Sequence, residues 1–186
     1  MGEIPKEDTM RETSRHFFGY LIGFTIFFLL IPYGFYKLSQ FDSIIFNGKI
    51  LIGLKALRLG LFSITFVVGA IFALWSNLFL FKIGKGGPTD AFGVSISPQT
   101  KKLVTIGPYR LSRNPMVFGA VSVYTSIVIL LNSITGLLVL ILFIFLIILY
   151  LKQSEEKRLI KDFGKEYLDY RSKVSMIFPL KFKRKK

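Results

Sequence analysis

The sequence predicts an all-α integral membrane protein. It has about four transmembrane helices, the last two a short helical hairpin, followed by an amphipathic cytoplasmic C-terminal helix. Three observations predict this. The 186 residues are 52% hydrophobic with mean hydropathy +0.52, too apolar for an ordinary soluble chain. Runs without a formally charged side chain, of 21, 23 and 38 residues, lie between Arg15 and Lys37, between Arg58 and Lys82, and from Asn114 to Leu151. Lys and Arg gather in the segments between and after these runs, giving a formal net charge of +14. In so apolar a chain that charge points to an anionic membrane surface rather than to nucleic acid. The chain has no Cys, which excludes disulfides, thiolate ligands and Cys nucleophiles, and one His, His16, which excludes a histidine-rich metal site. No metal and no nucleic acid are expected as partners.

One domain is expected over 1–186: an extension (1–15), two N-terminal spans (16–82), then a core and basic tail (83–186). The extension is polar and of mixed charge. Lys6 stands where a myristoylation signal needs Ser or Thr, and no signal-peptide order is present. The first run centres on Phe24–Ile31, and about 20 apolar residues cross the hydrocarbon, so it reads as a first span. Pro32 is expected to kink it, with Tyr33 and Tyr36 near the interface. Residues 40–58 mix Phe41, Ile44, Ile45 and Ile50 with Asp42, Lys49 and Lys55, which suits an interfacial connection. The second run holds Gly60, Ser63, Gly69 and Ala70, small residues that let helices approach closely, and reads as the second span.

Residues 84–100 are a loop by composition. Gly84-Lys85-Gly86 invites a nucleotide-binding reading, but no strand precedes it and the third glycine is misplaced. The 38-residue run would be about 57 Å long as one helix, nearly twice the hydrocarbon thickness, so it must fold back. Asn132-Ser133, with Gly136 just after, is the polar break near its middle, giving helices at about 115–131 and 134–151. Positive charges set the orientation. The N-terminal segment carries three Lys or Arg, the 83–113 loop five and the tail from Lys152 twelve, against three in 40–58 and none at Asn132. Both termini are therefore expected to be cytoplasmic in a multi-pass protein. In the tail, Leu159, Phe163, Tyr167 and Tyr170 recur at helical spacing broken by Gly164, an amphipathic face for the membrane or for closing over a site. Lys181 to Lys186 form a polybasic end suited to anionic lipid.

The stretch that organises the chain is Leu103 to Gly119, L-V-T-I-G-P-Y-R-L-S-R-N-P-M-V-F-G. It enters the long apolar run carrying Arg110 and Arg113. Gly107-Pro108 is a turn, Asn114 a candidate N-cap, and Pro115 a residue that loses nothing at the first helical position. The positive end of such a helix suits a carboxylate. On spacing alone, membrane punctuation with snorkelling arginines is an equal reading. Glu155-Glu156 after the hairpin likewise reads on its own as a solvated helix end paired to Lys.

Together these residues resemble the signature of the membrane methyltransferases that include isoprenylcysteine carboxyl methyltransferases and phospholipid (phosphatidylethanolamine) N-methyltransferases. That pattern runs roughly L-V-x-x-G-P-Y-R-x-x-R-[HN]-P-x-Y-x-G, then paired glutamates two helices later, then F-G-x-x-Y-x-x-Y. This chain supplies Leu103-Val104, Gly107-Pro108-Tyr109-Arg110, Arg113-Asn114-Pro115-Met116, Gly119, Glu155-Glu156, Phe163-Gly164, Tyr167 and Tyr170, in order. Two positions differ. Asn114 replaces the usual His of the carboxyl methyltransferases, and Val117 replaces the usual Tyr.

The resemblance implies an S-adenosylmethionine-dependent methyltransferase working at the membrane on a lipid or lipidated acceptor. Prenylated-cysteine α-carboxyl O-methylation is the first expectation, and N-methylation of a phospholipid amine the alternative. A non-catalytic scaffold keeping the fold is the reading from another class, and a small transporter a remote third. By position, Leu103, Val104 and Tyr109 are expected on the adenosine side, and Gly107 is expected in the cofactor site. Asn114, Pro115, Met116, Val117 and Gly119 are expected against the amino-acid part. Glu155 is expected on a polar group of the cofactor, with Glu156 beside it. Arg113 and Lys152 are expected to meet the substrate's charge.

Overall fold

The computed structural model describes residues 21, 23, 25–47, 51–84, 90–91, 94–95, 100 and 102–179. The extension 1–15, the start of the first span, most of the 84–100 loop and the polybasic end 181–186 lie outside the described residues.

Helix α1 (Ile31–Ser39) continues from a π-helical stretch at Thr25–Leu30. The change of winding falls at Pro32, whose missing N–H and bulky ring disfavour an undisturbed helix, so the expected kink appears as π-helix. A single turn, α2 (Asp42–Ile45), follows within the expected connection. Helix α3 (Lys55–Phe79) runs on through a π-helical turn at Leu80–Gly84. Asp90–Ala91 and Val94–Ser95 form a two-residue antiparallel pair, with Asp90 opposite Ser95. A 3-10 turn at Gly107–Arg110 leads to α4 (Pro115–Leu131) and α5 (Ile134–Tyr150). The sequence placed a break after 151. Instead the helix carries on through a π-helical turn, Leu151–Glu155, into α6 (Glu156–Arg171).

Helix α4 is the hub. Against α3 it makes the most extensive contact in the fold, and two glycines allow it. A Cβ on Gly69 would stand 2.8 Å from the Gly119 carbonyl oxygen, and one on Gly119 would stand 2.6 Å from the Ala73 nitrogen. Backbone meets backbone there, as small residues permit in membrane helices. On the other side Phe35 of α1, Tyr124 and Val128 of α4, and Leu140 of α5 form a buried cluster. The Tyr124 hydroxyl donates to the Phe27 carbonyl at 3.2 Å.

The hairpin turn is where the polar break predicted it. Asn132 adopts the left-handed conformation (φ 55°) that closes α4, a conformation Asn tolerates better than most residues. Ser133 caps α5 by accepting from the Gly136 N–H at 2.8 Å. The 40–58 connection is pinned to this turn. Asn132 accepts from the Ile52 N–H at 2.9 Å and donates to its carbonyl at 3.3 Å, while Asp42 accepts from the Thr135 N–H at 2.8 Å. Burial raises the Asp42 carboxyl pKa, but hydrogen bonds from Thr135, Ser133 and the Ile134 backbone outweigh it and hold the carboxyl below its ordinary value.

The outward faces are apolar: Ile64, Val67, Ile71 and Leu74 on α3, and Leu138, Ile141, Leu142 and Phe145 on α5, are exposed. Two helices are long and apolar enough to cross a membrane, Lys55–Gly84 with mean hydropathy 2.1 and Ile134–Arg171 with 3.1. The chain is thus all-helical apart from one two-residue strand pair among the described residues, with outer surfaces suited to lipid.

Candidate functional site

At the end of the hairpin opposite Asn132, the chain enters α4 and leaves α5. The turn before α4 has a demanding backbone. Gly107 has φ +62°, and a Cβ on it would lie 2.3 Å from the Phe79 ring at the end of α3. Only glycine meets both conditions without displacement. Pro108 and Tyr109 are buried behind it, with Val104 beneath, whereas Leu103 is half-buried and Arg110 exposed.

The acidic turn meets this arginine turn directly. Arg113 Nη1 pairs with Glu156 Oε1 and donates to the Tyr167 hydroxyl at 3.1 Å. Both charged side chains are only 9% exposed. Arg171, largely exposed, approaches the other Glu156 oxygen at 3.4 Å. The Tyr170 hydroxyl donates to the Tyr109 carbonyl at 2.6 Å. Tyr167 and Tyr170 therefore pack over the arginine turn. Gly164, at φ 51° and ψ −124°, breaks the helix between Phe163 and these tyrosines.

Adjacent residues on a helix point about 100° apart, so Glu155 and Glu156 serve different neighbours. Glu156 is buried against Arg113. Glu155, half-buried, lies close enough to Tyr109 and Tyr167 for its charge to act on both. Burial pushes the Tyr109 hydroxyl far above its ordinary 10.0, and Glu155 and Tyr170 add to the rise. Burial also raises Tyr167 and Tyr170, although Arg113 opposes it in both. All three hydroxyls are thus held further from ionisation than a free tyrosine.

Three of the motif residues make contacts within the chain. Asn114 sits at the N-cap position, but its side chain does not cap α4. Its Nδ2 donates instead to the Met176 carbonyl at 3.1 Å, because the chain beyond α6 passes within reach. Gly119 was expected against a cofactor, but the face where a side chain would stand is filled by α3. Arg113, expected to meet substrate, pairs with Glu156. Its Nε is buried without a hydrogen-bond partner.

Pro115 is fully buried, Met116 and Val117 are half-buried on the first turn of α4, and Lys152 is exposed on the π-helical turn. None of these four has a polar side-chain contact that ties it to the Arg113–Glu156 pair. Missed in the sequence were Ser112, wholly buried, and Ser175 and Met176 of the returning chain. Ser112 lay inside the motif, but nothing in its spacing set it apart from its neighbours.

The model of one family, described as phospholipid methyltransferase, matches residues 58–166. Searches of curated proteins and of solved structures return no match. The matched region runs from the start of α3 to the tyrosine-bearing half of α6 and so takes in both turns of the site. This all-helical chain, whose arginine and acidic turns meet at one end of a helical hairpin, belongs to the phospholipid methyltransferase family.

Proposed function

We propose that this membrane methyltransferase uses S-adenosylmethionine and acts on a lipidic acceptor, with its site between the arginine and acidic turns. The observation that carries the reading is the buried Arg113–Glu156 pair, which joins residues 43 apart in sequence. It brings an acidic turn, an arginine turn and the start of α4 to one end of the hairpin.

The groups present suit such a cofactor. Leu103, half-buried over the buried Val104, offers apolar surface for an adenosine. The Glu155 carboxylate and the Asn114 Oδ1 are acceptors for its cationic groups, and the unpartnered Arg113 Nε is a donor for its carboxylate. Arg113 then serves two ends, holding Glu156 with one nitrogen and a ligand with another, and Lys152 remains the cation for a substrate's charge.

S-adenosylmethionine, when bound, supplies an electrophilic methyl group. The chain's part is to hold the acceptor in line and exclude water. A carboxylate acceptor takes the methyl with no proton to remove. With Tyr109, Tyr167 and Tyr170 held neutral and no histidine in the motif, that route asks least of this site, which favours a prenylated-cysteine carboxyl. The family's description favours the second reading, a phospholipid amine, whose proton would pass to Glu155 or to water. Four spans with both termini cytoplasmic put the site at the cytoplasmic surface, where a polar cofactor and a lipid can both reach it.

Glu155→Ala should abolish saturable binding of labelled S-adenosylmethionine by the detergent-purified protein while leaving its helical spectrum unchanged. Undiminished affinity would remove Glu155 from the site, and no binding by the unaltered chain would favour a scaffold. Incubation with labelled cofactor and either a prenylcysteine or total lipid distinguishes the acceptors. A methyl ester releases its label as methanol in mild alkali, and an N-methyl group does not.

A further inference from the structure

The family match ends at residue 166, but the contacts around the arginine turn do not. Beyond α6 the chain turns back and lies along residues 112–114 as a strap. The Arg113 N–H donates to the Ser175 carbonyl at 2.9 Å. Three donors converge on the next carbonyl, that of Met176: the Asn114 N–H at 3.0 Å, Asn114 Nδ2 at 3.1 Å and the Ser112 hydroxyl at 3.2 Å. Ser112 Oγ in turn accepts from the Asn114 N–H at 3.1 Å. The strap is held inward beyond this point. Ile177 is 3% exposed, the Ser175 hydroxyl donates to the Phe178 carbonyl, and the Phe178 ring packs edge-on against Phe118 of α4.

This arrangement settles which way the Asn114 amide faces. A carbonyl only accepts, so the amide nitrogen must be turned to Met176, and Oδ1 points away from that carbonyl within the amide plane. We propose that the strap is part of the cofactor site, with the Met176 carbonyl holding Asn114 so that Oδ1 receives the amino group of the cofactor's methionine part. The inference rests on the function proposed above and deepens it. Asn114 becomes the ligand, and the strap residues Ser175 and Met176 are positioning residues acting through their backbone. By reciprocity, binding must tighten the strap as much as the strap tightens binding.

The test is cofactor affinity in the full-length protein and in two variants. Ser112→Ala removes one donor to Met176 and should weaken binding of labelled S-adenosylmethionine up to about tenfold, the equivalent of one net hydrogen bond. Asn114→Asp keeps an acceptor, and a charged one, but loses the donor that fixes its orientation. If the strap orients this residue, the Asp variant binds more weakly than the unaltered chain. If residue 114 were simply a free acceptor for a cation, it would bind more tightly. In the unaltered protein, saturating S-adenosylhomocysteine should slow hydrogen exchange at the Arg113 and Asn114 amides, which donate to the strap. A chain ended after Pro179 should keep its affinity, one ended after Ser172 should lose it, and a peptide of residues 173–186 added in trans should restore it. If the full-length chain binds cofactor but both substitutions bind as well as it does, and the two amides exchange at an unchanged rate, the strap has no part in the site. If the full-length chain binds none, the proposed function falls and this inference with it.

Discussion

Neutralising either member of the Arg113–Glu156 pair should expose how strongly the two turns depend on each other. Both side chains are 9% exposed, so removing one partner leaves the other charge buried. Breaking such a pair from one side costs about 3–5 kcal/mol. Arg113→Gln should reach that range, because Glu156 is then left with the solvent-screened Arg171 alone. Glu156→Gln should be comparable, because Arg113 would retain only the Tyr167 hydroxyl. In the double variant no buried charge remains, and two amides can hydrogen-bond, so its loss should be smaller than the sum of the single losses by about 2 kcal/mol or more. Arg171→Gln provides the internal contrast. At 45% exposure and 3.4 Å its pair with Glu156 is largely screened and should be worth no more than about 1 kcal/mol. Reversible unfolding in mixed micelles, followed by far-UV dichroism, gives the four stabilities. Additive single losses, or an Arg171 effect as large as that of Arg113, would refute the claim that the Arg113 pair joins the turns.

Other consequences follow from the same geometry. Gly119→Ala should lower stability by about 1–3 kcal/mol, since its Cβ would press on backbone atoms of α3 at 2.6 and 2.8 Å; unfolding in micelles measures it, and a neutral result would deny the close crossing. Asp42 has a folded pKa below its ordinary 3.8, so its contribution is present above that pH and lost as the pH falls through the folded value. The stability gap between the unaltered protein and Asp42→Ala should therefore be constant near neutrality and shrink below about pH 3.8. The absence of cysteine permits a clean topology test. Asn47→Cys, near the Asn132 end, should react with an impermeant maleimide only from the non-cytoplasmic side, and Lys152→Cys only from the cytoplasmic side; reaction of both from one side would overturn the proposed orientation.

What the sequence made legible follows from how local each signal is. The hairpin was readable because 38 uncharged residues are too long for one crossing and Asn132-Ser133 is the polar break near the middle. The close crossing of α3 and α4 was half readable: Gly69 was one of four small residues noted in the second run, but its partner Gly119 looked like a ligand position, since motif spacing does not distinguish a glycine needed for helix contact from one needed for a ligand. The sequence placed Glu155 on the cofactor with Glu156 beside it, and gave no sign that Glu156 pairs with Arg113. The two carboxylates differ because successive helical residues diverge by about 100° and only one of those directions faces Arg113. The π-helical turn just before Glu156 sharpens this, since the extra residue it accommodates resets the register of α6 relative to α5. Least legible was the strap. Its hydrogen bonds come from backbone carbonyls, which every residue carries, so Ser175 and Met176 left no trace in residue type. Its presence could be inferred only from the other side: Ser112 and Asn114 lie in the turn between the 3-10 helix and α4, where no helix of their own supplies partners.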